Sequence, residues 1–597
     1  MGTLKKLIKK YFQYFFYFYS QLGNKIFISF FLSLIVGIMD GFGLAMFIPL
    51  LQMVDESKTH VADKMGNMSF IPNFFAYLNI PLNLVSVLLI IFIFFCIKGV
   101  FKFLEGYFRA SLEQLFIRDI RKTNILGLSA YSFNEFINSD IGRIQNTFSG
   151  EVEKVKLAYR YYFMGVQLGV FTLVYTAMAF FSNPQFAIMV VIGGSFTSLL
   201  VQQLKRKSKI LSQKITEDSH VFQSLLIQKV SFFKYLKSTG LVDKYASKLL
   251  QNNKEMHGTQ KKLGVIGAIL GSVREPIVIM VVLLSILIEV KYFHQHLGVI
   301  IFTLLLFYRS LISLTSMQTY FNLFLSSSGS LQNMNEFNQE LKAGKEKDGN
   351  IEVGQFQKAL EFKSTSFSYE STHILTDINL TINKNQSIAV IGESGSGKTT
   401  LINLITGILS PTKGQVIVDE IDLENIKKSS YQSRIGYITQ EAVIFNDTIF
   451  NNVSFWDEPT AANQLRFDEA LRKAAIYDFV DGLPQKGNAM LGSNGINISG
   501  GQKQRISIAR ELYKEIDFLL MDEATSALDS ETEKTIKDNI DRLHGKYTII
   551  IVAHRLSTVK NADVIVLLQK GKIIATGNFE ALLKNPLFEK MVQLQEF

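Results

Sequence analysis

The 597-residue sequence has a single cysteine, Cys96, and lacks a signal-peptide cleavage site after its first apolar stretch. One cysteine excludes an intramolecular disulfide framework and any metal site built from several cysteines. A secretory signal needs small residues at its cleavage point, whereas here the opening basic and aromatic residues meet Ser20-Gln21 and another long apolar segment. We therefore expect residues 1–22 to form an uncleaved, basic and aromatic helix on the cytoplasmic face of a membrane.

Apolar residues are abundant. Hydrophobic residues make up 48% of the chain, aromatic residues 12%, and the mean hydropathy is +0.19. Six segments are apolar over about 20 residues or more, which is the length needed to span a bilayer. They run approximately over 26–54, 84–103, 163–182, 186–204, 263–290 and 299–321. The sequence therefore predicts a six-helix membrane domain over residues 23–325.

The formal net charge of +10 could indicate a nucleic acid or an anionic membrane as partner. Lysine and arginine concentrate in residues 105–162 and in the segment that opens with Lys205-Arg206-Lys207, and they are few on the opposite side. The positive-inside rule then places the long connections and both termini in the cytoplasm. We expect a multi-pass protein of the cell inner membrane that does not bind nucleic acid, with long helices continuing beyond the membrane.

After a polar linker over 326–355, residues 356–597 alternate short β-rich runs with helical ones, as expected of an α/β domain. A glycine-rich turn lies between the apolar run 387–391 and the helical run 401–405. Its residues are Gly392, Glu393, Ser394, Gly395, Ser396, Gly397, Lys398, Thr399 and Thr400. A strand, such a turn and a helix cradle phosphates; Lys398 would reach the β and γ phosphates and Thr399 would ligate Mg²⁺.

A second apolar run, residues 518–521, ends in Asp522 and Glu523. Asp522 would hold Mg²⁺ and Glu523 would act as the general base on the attacking water. A strand-end aspartate alone often only caps a turn. Two adjacent carboxylates downstream of a phosphate loop favour the metal and catalytic roles.

The run Ile498-Ser499-Gly500-Gly501-Gln502 resembles the signature sequence of ATP-binding cassette (ABC) proteins, and the other family motifs stand around it in order. The resemblance implies an adenine-stacking role for Tyr369, a Q-loop role with a contact to Mg²⁺ for Gln440, a D-loop at 526–529, a switch role for His554, and an anion site at Ser499, Gly500, Gly501 and Gln502. Tyr369 could instead be a core aromatic, and His554 a loop histidine.

Six spans before one cassette domain resemble the half-transporter layout of ABC exporters. The fold class implied is a multi-domain membrane protein, in which a six-helix transmembrane domain precedes an α/β P-loop nucleotide-binding domain. The resemblance further implies ATP and Mg²⁺ as cofactors, ATP hydrolysis coupled to transport, and a homodimer, because one subunit's signature closes over the other's ATP. It also implies coupling helices near 130–139 and 219–229. Residues 492–495 lack the glutamate common in such exporters.

Four cations lie within or at the ends of the apolar segments, namely Lys98, Lys102, Arg274 and Arg309, with Asp40, Glu275 and Glu289 as carboxylates. Lys98, Arg274 and Arg309 are the candidate substrate residues. A charge buried in a bilayer costs at least about 2.5 kcal/mol, so each needs a partner or a wet cavity. The cations either pair with the carboxylates or bind a phosphate-bearing headgroup.

Residues 39–44, 77–81 and 306–309 resemble stretches of bacterial lipid-linked oligosaccharide flippases. We therefore expect ATP-driven flipping of a membrane lipid or lipid-linked glycan, specifically a polyprenyl-pyrophosphate oligosaccharide. The alternative is an exporter of drugs, of lipids such as lipid A, or of peptides.

Overall fold

A computed structural model describes residues 13–47, 77, 84–182, 184, 202–288, 291, 297–369, 372–492, 495–522, 538–539, 541–553 and 559–593. The chain divides into two compact units. The first comprises Met1–Tyr131 and Asn138–Lys345, and the second comprises Ser132–Ile137 and Glu346–Phe597. All the described strands belong to the second unit.

Most of the described residues before 345 are helical. The helices are α1 (Lys25–Ala45), α2 (Leu84–Ser129), α3 (Phe133–Asn138), α4 (Ile141–Asn146), α5 (Val152–Ser182), α6 (Gln202–Ser231), α7 (Phe233–Ser238), α8 (Val242–Ile288) and α9 (Leu297–Ala343). A π-helical turn, Thr147–Glu151, joins α4 to α5, and residues 13–22 form a further helix.

Three of these helices are much longer than a membrane is thick. Helix α2 has 46 residues, and α8 and α9 have 47 each. At 1.5 Å per residue each is about 70 Å long, against about 30 Å for the hydrocarbon core of a bilayer. These helices are therefore long enough to continue beyond a membrane, and α9 passes residue 325 without a break.

Among the described residues, three helical stretches are long and apolar enough to cross a membrane: Lys25–Leu44, Leu84–Ser129 and Ile141–Phe181. They contain all of the second predicted span and most of the first and third. The fifth and sixth predicted spans fall largely within α8 and α9. Most of the fourth, 186–204, lies outside the described residues.

One prediction about the second cytoplasmic connection is wrong. Residues 219–229, expected to form a short coupling helix, lie inside the 30-residue helix α6. The short helix is α7, which begins after the non-helical Phe232 and is followed by Gly240 with a φ of +70°. The apolar spacing of 219–229 continues the preceding helix without a breaking residue, so the break comes later.

Aromatic residues form much of the core of the first unit. Phe18 from the N-terminal helix, Phe116 from α2 and Tyr159 and Phe163 from α5 are all buried. Ring centroids of Phe18 and Tyr159 are 5.6 Å apart, and those of Tyr159 and Phe163 are 4.5 Å apart. The N-terminal helix is therefore packed into this unit through its aromatic face.

The second unit is built on two sheets. The strands are β1 (Ala359–Tyr369), β2 (Thr372–Asn383), β3 (Ser387–Ile391), β4 (Lys413–Val418), β5 (Ile421–Asp422), β6 (Ile435–Ile438), β7 (Phe518–Asp522), β8 (Thr548–Val552), β9 (Val564–Gln569) and β10 (Lys572–Gly577). The strand orders are β2-β1-β4-β5, which is antiparallel, and β10-β9-β3-β8-β7-β6, in which only β10 is antiparallel.

Helices follow or flank these strands. They are α10 (Lys398–Ile405), α11 (Lys428–Gln432), α12 (Ile449–Ser454), α13 (Ala461–Lys473), α14 (Tyr477–Asp481), α15 (Gly500–Tyr513), α16 (Phe579–Leu582) and α17 (Pro586–Gln593).

The six-stranded sheet is buried on both faces. Along β3, Ala389 and Ile391 face one apolar core, and Ile388 and Val390 face the other. A strand covered on both sides reads as a continuous apolar run, which is the pattern from which 387–391 was predicted as a buried strand. This sheet provides the rigid edge on which the candidate site is built.

Candidate functional sites

The carboxyl ends of four parallel strands meet at one edge of the six-stranded sheet. Val390 of β3 pairs with Val552 of β8, which pairs with Asp522 of β7. Ile438 of β6 pairs with Met521 of β7. Because parallel strands end at the same edge of a sheet, residues 391, 438, 522 and 552 lie along one edge. In the sequence, most of the predicted nucleotide-site residues follow these strand ends.

The glycine-rich loop after β3 packs its backbone directly against two other strands. A Cβ atom on Gly392 would lie 2.1 Å from the carbonyl oxygen of Leu568 in β9. Gly397 has a φ of +103°, and its Cβ would lie 2.7 Å from Cδ2 of Leu375 in β2. Only glycine fits these two positions, so the loop can curve tightly around a ligand.

Helix α10 begins with hydrogen-bond donors that no side-chain cap covers. Its N-cap is Gly397, which makes no side-chain hydrogen bond to the first turn formed by Lys398, Thr399 and Thr400. In the described part of the chain, the buried Ser396 Oγ has no hydrogen-bond partner. Uncapped N–H groups and an unsatisfied hydroxyl beside a helix N-terminus fit a phosphate ligand.

Lys398 lies inside the curve of this loop. Its Nζ donates hydrogen bonds to the carbonyl oxygens of Gly392 at 2.8 Å and Glu393 at 3.0 Å. The residue is only 7% exposed, while Glu393, Ser394 and Gly395 are exposed. The loop therefore holds the ammonium group where the predicted β and γ phosphates would lie.

Asp522 is the last residue of β7, and a tyrosine on the neighbouring strand faces it. The Tyr437 hydroxyl donates to Asp522 Oδ2 at 3.5 Å. Burial, with a smaller contribution from the Asp522 charge, raises the pKa of Tyr437 to about 12. The hydroxyl is thus a donor at neutral pH. Sequence reasoning missed Tyr437, whose signal was a polar-tipped aromatic three residues before Gln440.

The site suits Mg²⁺ only together with a nucleotide. Among the described residues, no group of three His, Cys, Asp or Glu side chains could hold a metal ion. Mg²⁺ is usually held by one or two carboxylates with phosphate oxygens and waters. Asp522 and the hydroxyl of Thr399 would be the protein ligands of such an ion, and phosphate oxygens and waters would complete its coordination.

Tyr369 lies at the end of β1, near the phosphate loop. Its half-buried ring makes an edge contact with Phe367, with centroids 4.8 Å apart. Phe367 pairs with Leu375, the residue that the Gly397 backbone approaches. Tyr369 is two residues further along β1, so its position suits the predicted contact with an adenine ring as well as partial core packing.

Gln440 is exposed just after β6, on the same sheet edge. The carbonyl oxygen of the preceding residue, Thr439, accepts a hydrogen bond of 3.4 Å from Gln504 Nε2. Gln504 is buried in α15. The backbone before Gln440 is therefore tied to the helix that begins at the signature sequence.

The signature residues form the start of α15. Ser499 is its N-cap: Ser499 Oγ accepts from the Gln502 N–H at 3.3 Å, and Gln502 Oε1 accepts from the Ser499 N–H at 2.8 Å. This capping box gives both residues a structural role. A Cβ on Gly500 would meet no described atom of the chain within 4 Å. The face of Gly500 thus remains open.

Three predicted catalytic elements lie outside the described residues: Glu523, His554 and the D-loop at 526–529. The strands that lead to the first two are described. Asp522 ends β7, and Ala553 follows β8 with its N–H donating to the Val390 carbonyl oxygen at 3.3 Å. The roles of Glu523 and His554 therefore remain predictions.

Two of the three candidate substrate residues, Lys98 and Arg309, have described side chains. Lys98 of α2 forms an ion pair with Asp40 of α1, so the structure places this cation in the pairing arrangement. Arg309 of α9 is exposed and makes no hydrogen bond or salt bridge to the residues that the structure describes. Arg274 is on α8, and its side chain lies outside the description.

The second unit, with its phosphate loop, sheet edge and signature helix, is an ABC-type nucleotide-binding domain, and the first unit supplies long membrane helices. Residues 375–526 match the family model described as ABC transporter. This domain is similar to the ABC transporters, and the fold of the chain is that of an ABC exporter half-transporter, as predicted. The match supports the prediction of an ATP-hydrolysing domain of the ABC transporter type.

Similar proteins with known names include lipid flippases. An "ATP-dependent lipid A-core flippase" of Syntrophus aciditrophicus is 39% identical over 251 residues, covering 42% of this chain and 41% of that protein. One of Francisella novicida is 27% identical over 513 residues, covering 82% and 84%. The "Heterocyst differentiation ATP-binding protein HepA" of Nostoc sp. is 25% identical over 488 residues, covering 82% and 80%.

The alignments near 40% identity span about two fifths of the flippases concerned. A solved structure described as "a bacterial Atm1-family ABC exporter with ATP bound" matches 96% of this chain and 99% of that chain, with a TM-score of 0.79 and 20% identity. This match shows the fold. It confirms the predicted fold class, a helical membrane domain followed by an α/β nucleotide-binding domain.

Proposed function

We propose that this protein is an ATP-driven flippase that acts as a homodimer in the cell inner membrane, with its nucleotide-binding domain and both termini in the cytoplasm. Its cargo is a phosphate-bearing glycolipid of the polyprenyl-pyrophosphate oligosaccharide class. The observation that carries the energy-coupling part is the meeting of the glycine-rich loop, Lys398 and Asp522 at one sheet edge.

ATP would supply the phosphoanhydride bond whose hydrolysis drives transport, and Mg²⁺ would neutralise the negative charge on its phosphates. Lys398 holds the β and γ phosphates in the curve of the loop, and Tyr437 orients Asp522 for the metal. Glu523 accepts the proton of the attacking water, and His554 donates to the γ-phosphate. Gln440 reports the state of the site to the membrane domain, since it stands at the same edge.

A homodimer follows from the open face of the signature helix. Ser499 and Gly500 are exposed, and no described atom of the chain requires residue 500 to be a glycine. A nucleotide held by the phosphate loop of a second copy would explain why position 500 is a glycine. Since each chain has one phosphate loop and one signature, a C₂ dimer has two equivalent sites.

The cargo is proposed from the charges in the membrane unit. Arg309 is an exposed guanidinium on a helix whose stretch 297–335 has no other charged residue. Lys98 lies on a neighbouring element, in an ion pair. A guanidinium at membrane depth that pairs with none of the described residues fits a phosphate oxygen pair far better than it fits an apolar ligand. Relatives named as lipid A-core flippases support a lipid cargo.

The alternative is an exporter of drugs, peptides or lipid A, which would use the same nucleotide residues. The proposal is tested by the ATPase activity of proteoliposomes that contain either a polyprenyl-pyrophosphate glycolipid, lipid A, or a hydrophobic cation. We expect the pyrophosphate lipid to stimulate ATP hydrolysis most. Stimulation by the cation or by lipid A instead would replace the proposal with the alternative.

The proposed role of Arg309 in headgroup binding is tested by substitution, with Lys102 as the matched control. Arg309→Ala should abolish stimulation by the pyrophosphate lipid while basal hydrolysis continues. Lys102→Ala removes an exposed cation from α2 and should leave the stimulation at the wild-type level. Equal losses in both variants would mean that membrane charge in general, and not Arg309, controls the response.

A further inference from the structure

A polar cluster joins three helices of the membrane unit. Asp40 of α1 is 9% exposed, and its carboxylate has two partners. One oxygen pairs with Lys98 Nζ of α2, and the other accepts a hydrogen bond from the Tyr175 hydroxyl of α5. Tyr175 is itself buried. The cluster thus sets one carboxylate between a cation and a neutral donor.

Small residues on α1 allow this arrangement. A Cβ on Gly37 would lie 2.9 Å from Cδ1 of Phe171, and one on Gly41 would lie 2.1 Å from the sulfur of Met178. Two glycines four residues apart let α1 approach α5 closely. The approach brings the short Asp40 side chain within reach of Tyr175.

The helix α9 places a second cation beside the cluster. Arg309 stands one residue before the point where α9 contacts α5, and it forms no salt bridge with Asp40. The next residue, Ser310, shares a hydrogen bond of 2.9 Å with Thr176 of α5. Because Thr176 follows Tyr175, this contact brings the segment of α9 that carries Arg309 beside the cluster. Asp40, Lys98 and Arg309 together carry a net charge of about +1 when all three groups are ionised.

We propose that Asp40 is an exchangeable counter-ion. It stays paired with Lys98 until the phosphate of the cargo, first bound at Arg309, takes its place beside Lys98. This inference rests on the proposed function and adds the residue that sets its specificity. A neutral or cationic amphiphile cannot displace a carboxylate from a lysine. The cluster would therefore reject uncharged lipids even where their apolar tails fit.

Exchange is feasible because neither side of the pair is left without a partner. The side chains of Lys98 and Asp40 are 17% and 12% exposed, so both partners of the ion pair are accessible from outside the helix bundle. After exchange Asp40 keeps the Tyr175 hydroxyl. Lys98 also has the ring of Phe95, 4.8 Å from its Nζ, as a second contact. A pyrophosphate carries more negative charge than a carboxylate and would win the competition.

The test is a titration of ATPase stimulation in phosphatidylcholine proteoliposomes with a polyprenyl pyrophosphate, its monophosphate and the neutral polyprenol. Asp40→Asn removes the competing charge. If the free lysine is present in about a tenth of wild-type molecules, the half-saturating pyrophosphate concentration should fall about tenfold. Lys98→Gln should raise it. An unchanged or raised value in Asp40→Asn overturns the inference.

Tyr175→Phe is the matched control, because it removes a hydrogen bond to the same carboxylate without removing a charge. A purely structural cluster would give Asp40→Asn and Tyr175→Phe the same loss of thermal stability and no shift in half-saturation. That result also contradicts the inference.

Removing one partner of a buried pair can prevent folding. If Asp40→Asn does not fold, Asp40→Asn/Lys98→Gln removes both charges together. The double variant should lose the preference for pyrophosphate over monophosphate, because only Arg309 remains to bind the headgroup. A preference equal to that of the wild type would overturn the inference. A wild-type protein that ignores all three lipids would instead refute the proposed cargo, so the two failures are distinguishable.

Discussion

Single residues of the nucleotide site act through contacts made by their own loop or strand. Lys398 is held by two carbonyl oxygens of the loop it serves, and Asp522 faces the Tyr437 hydroxyl on the adjacent strand. Both side chains are therefore positioned before any nucleotide arrives. Preorganised charges of this kind stabilise transferring phosphoryl groups without reorganisation cost at the moment of reaction.

Lys398→Met should weaken ATP binding. The variant loses charge-assisted contacts worth about 1.5–3 kcal/mol, or about 10- to 100-fold in affinity. Nucleotide affinity measured by fluorescence titration of the detergent-purified protein checks this. Lys384→Met, at the amino end of β3 and thus at the opposite sheet edge, is the control and should bind ATP normally. Normal binding by Lys398→Met would refute the assigned site.

Tyr437→Phe should change the alkaline stability of the protein. The pKa of Tyr437 is raised to about 12 in the folded state, above about 10 in an unfolded chain. Its contribution to stability is then complete below pH 10 and is lost as the pH rises towards 12. Unfolding curves between pH 10 and 12 should therefore be flatter for the variant. Identical pH dependence would show that the hydroxyl is not buried as described.

The residue roles differ in how far the sequence could predict them. Lys398 and Asp522 stand in local motifs, so their chemistry follows from neighbouring residues. The contacts of Asp40 do not, because Lys98 is 58 and Tyr175 is 135 positions away, and only helix packing brings them together. The sequence left pairing and headgroup binding as alternatives for the membrane cations, and the structure shows pairing for Lys98.

At the scale of elements, helix starts and helix contacts depend on small residues. The capping box of Ser499 and Gln502 begins α15, and Gly37 allows the contact of α1 with α5. Periodicity predicted the buried strands and the long helices well. It placed the second coupling helix within α6, because the break at Phe232 has no glycine or proline to signal it.

Substitutions at Ser499 separate its cap role from its proposed nucleotide role. Asp is as good an N-cap as Ser, whereas Ser499→Ala should cost about 0.5–2 kcal/mol of stability. Ser499→Asp should therefore keep the thermal midpoint but lose ATPase activity, because its charge would face phosphate. Thermal unfolding and phosphate release measure the two effects. An active Ser499→Asp protein would leave Ser499 with the capping role alone.

Gly37→Leu should separate α1 from α5. Forcing a side chain against Phe171 is an overpacking change that costs about 1–3 kcal/mol. The thermal midpoint in detergent should fall accordingly. Gly99→Leu is the matched control, because a Cβ on Gly99 of α2 meets no described atom within 4 Å. Equal effects of the two substitutions would mean that the close approach at Gly37 does not matter for stability.

At the scale of the whole molecule, one chain joins long membrane helices to one nucleotide-binding domain. The order of the motifs and the six apolar segments were enough to predict this layout from sequence. The cargo was not, because it depends on which charges are left unpaired once the helices have packed. In the proposed homodimer each nucleotide site needs the signature of a second copy, so the proposed function depends on the assembly.

In the proposed function, ATP hydrolysis drives the movement of a pyrophosphate-linked glycolipid across the membrane. The most direct measurement is headgroup translocation in proteoliposomes, comparing wild type with Glu523→Gln in the presence of ATP or ADP. We expect translocation only by the wild type with ATP. Glu523→Gln should still bind ATP. Equal translocation by Glu523→Gln, or by the wild type with ADP, would contradict the proposed function.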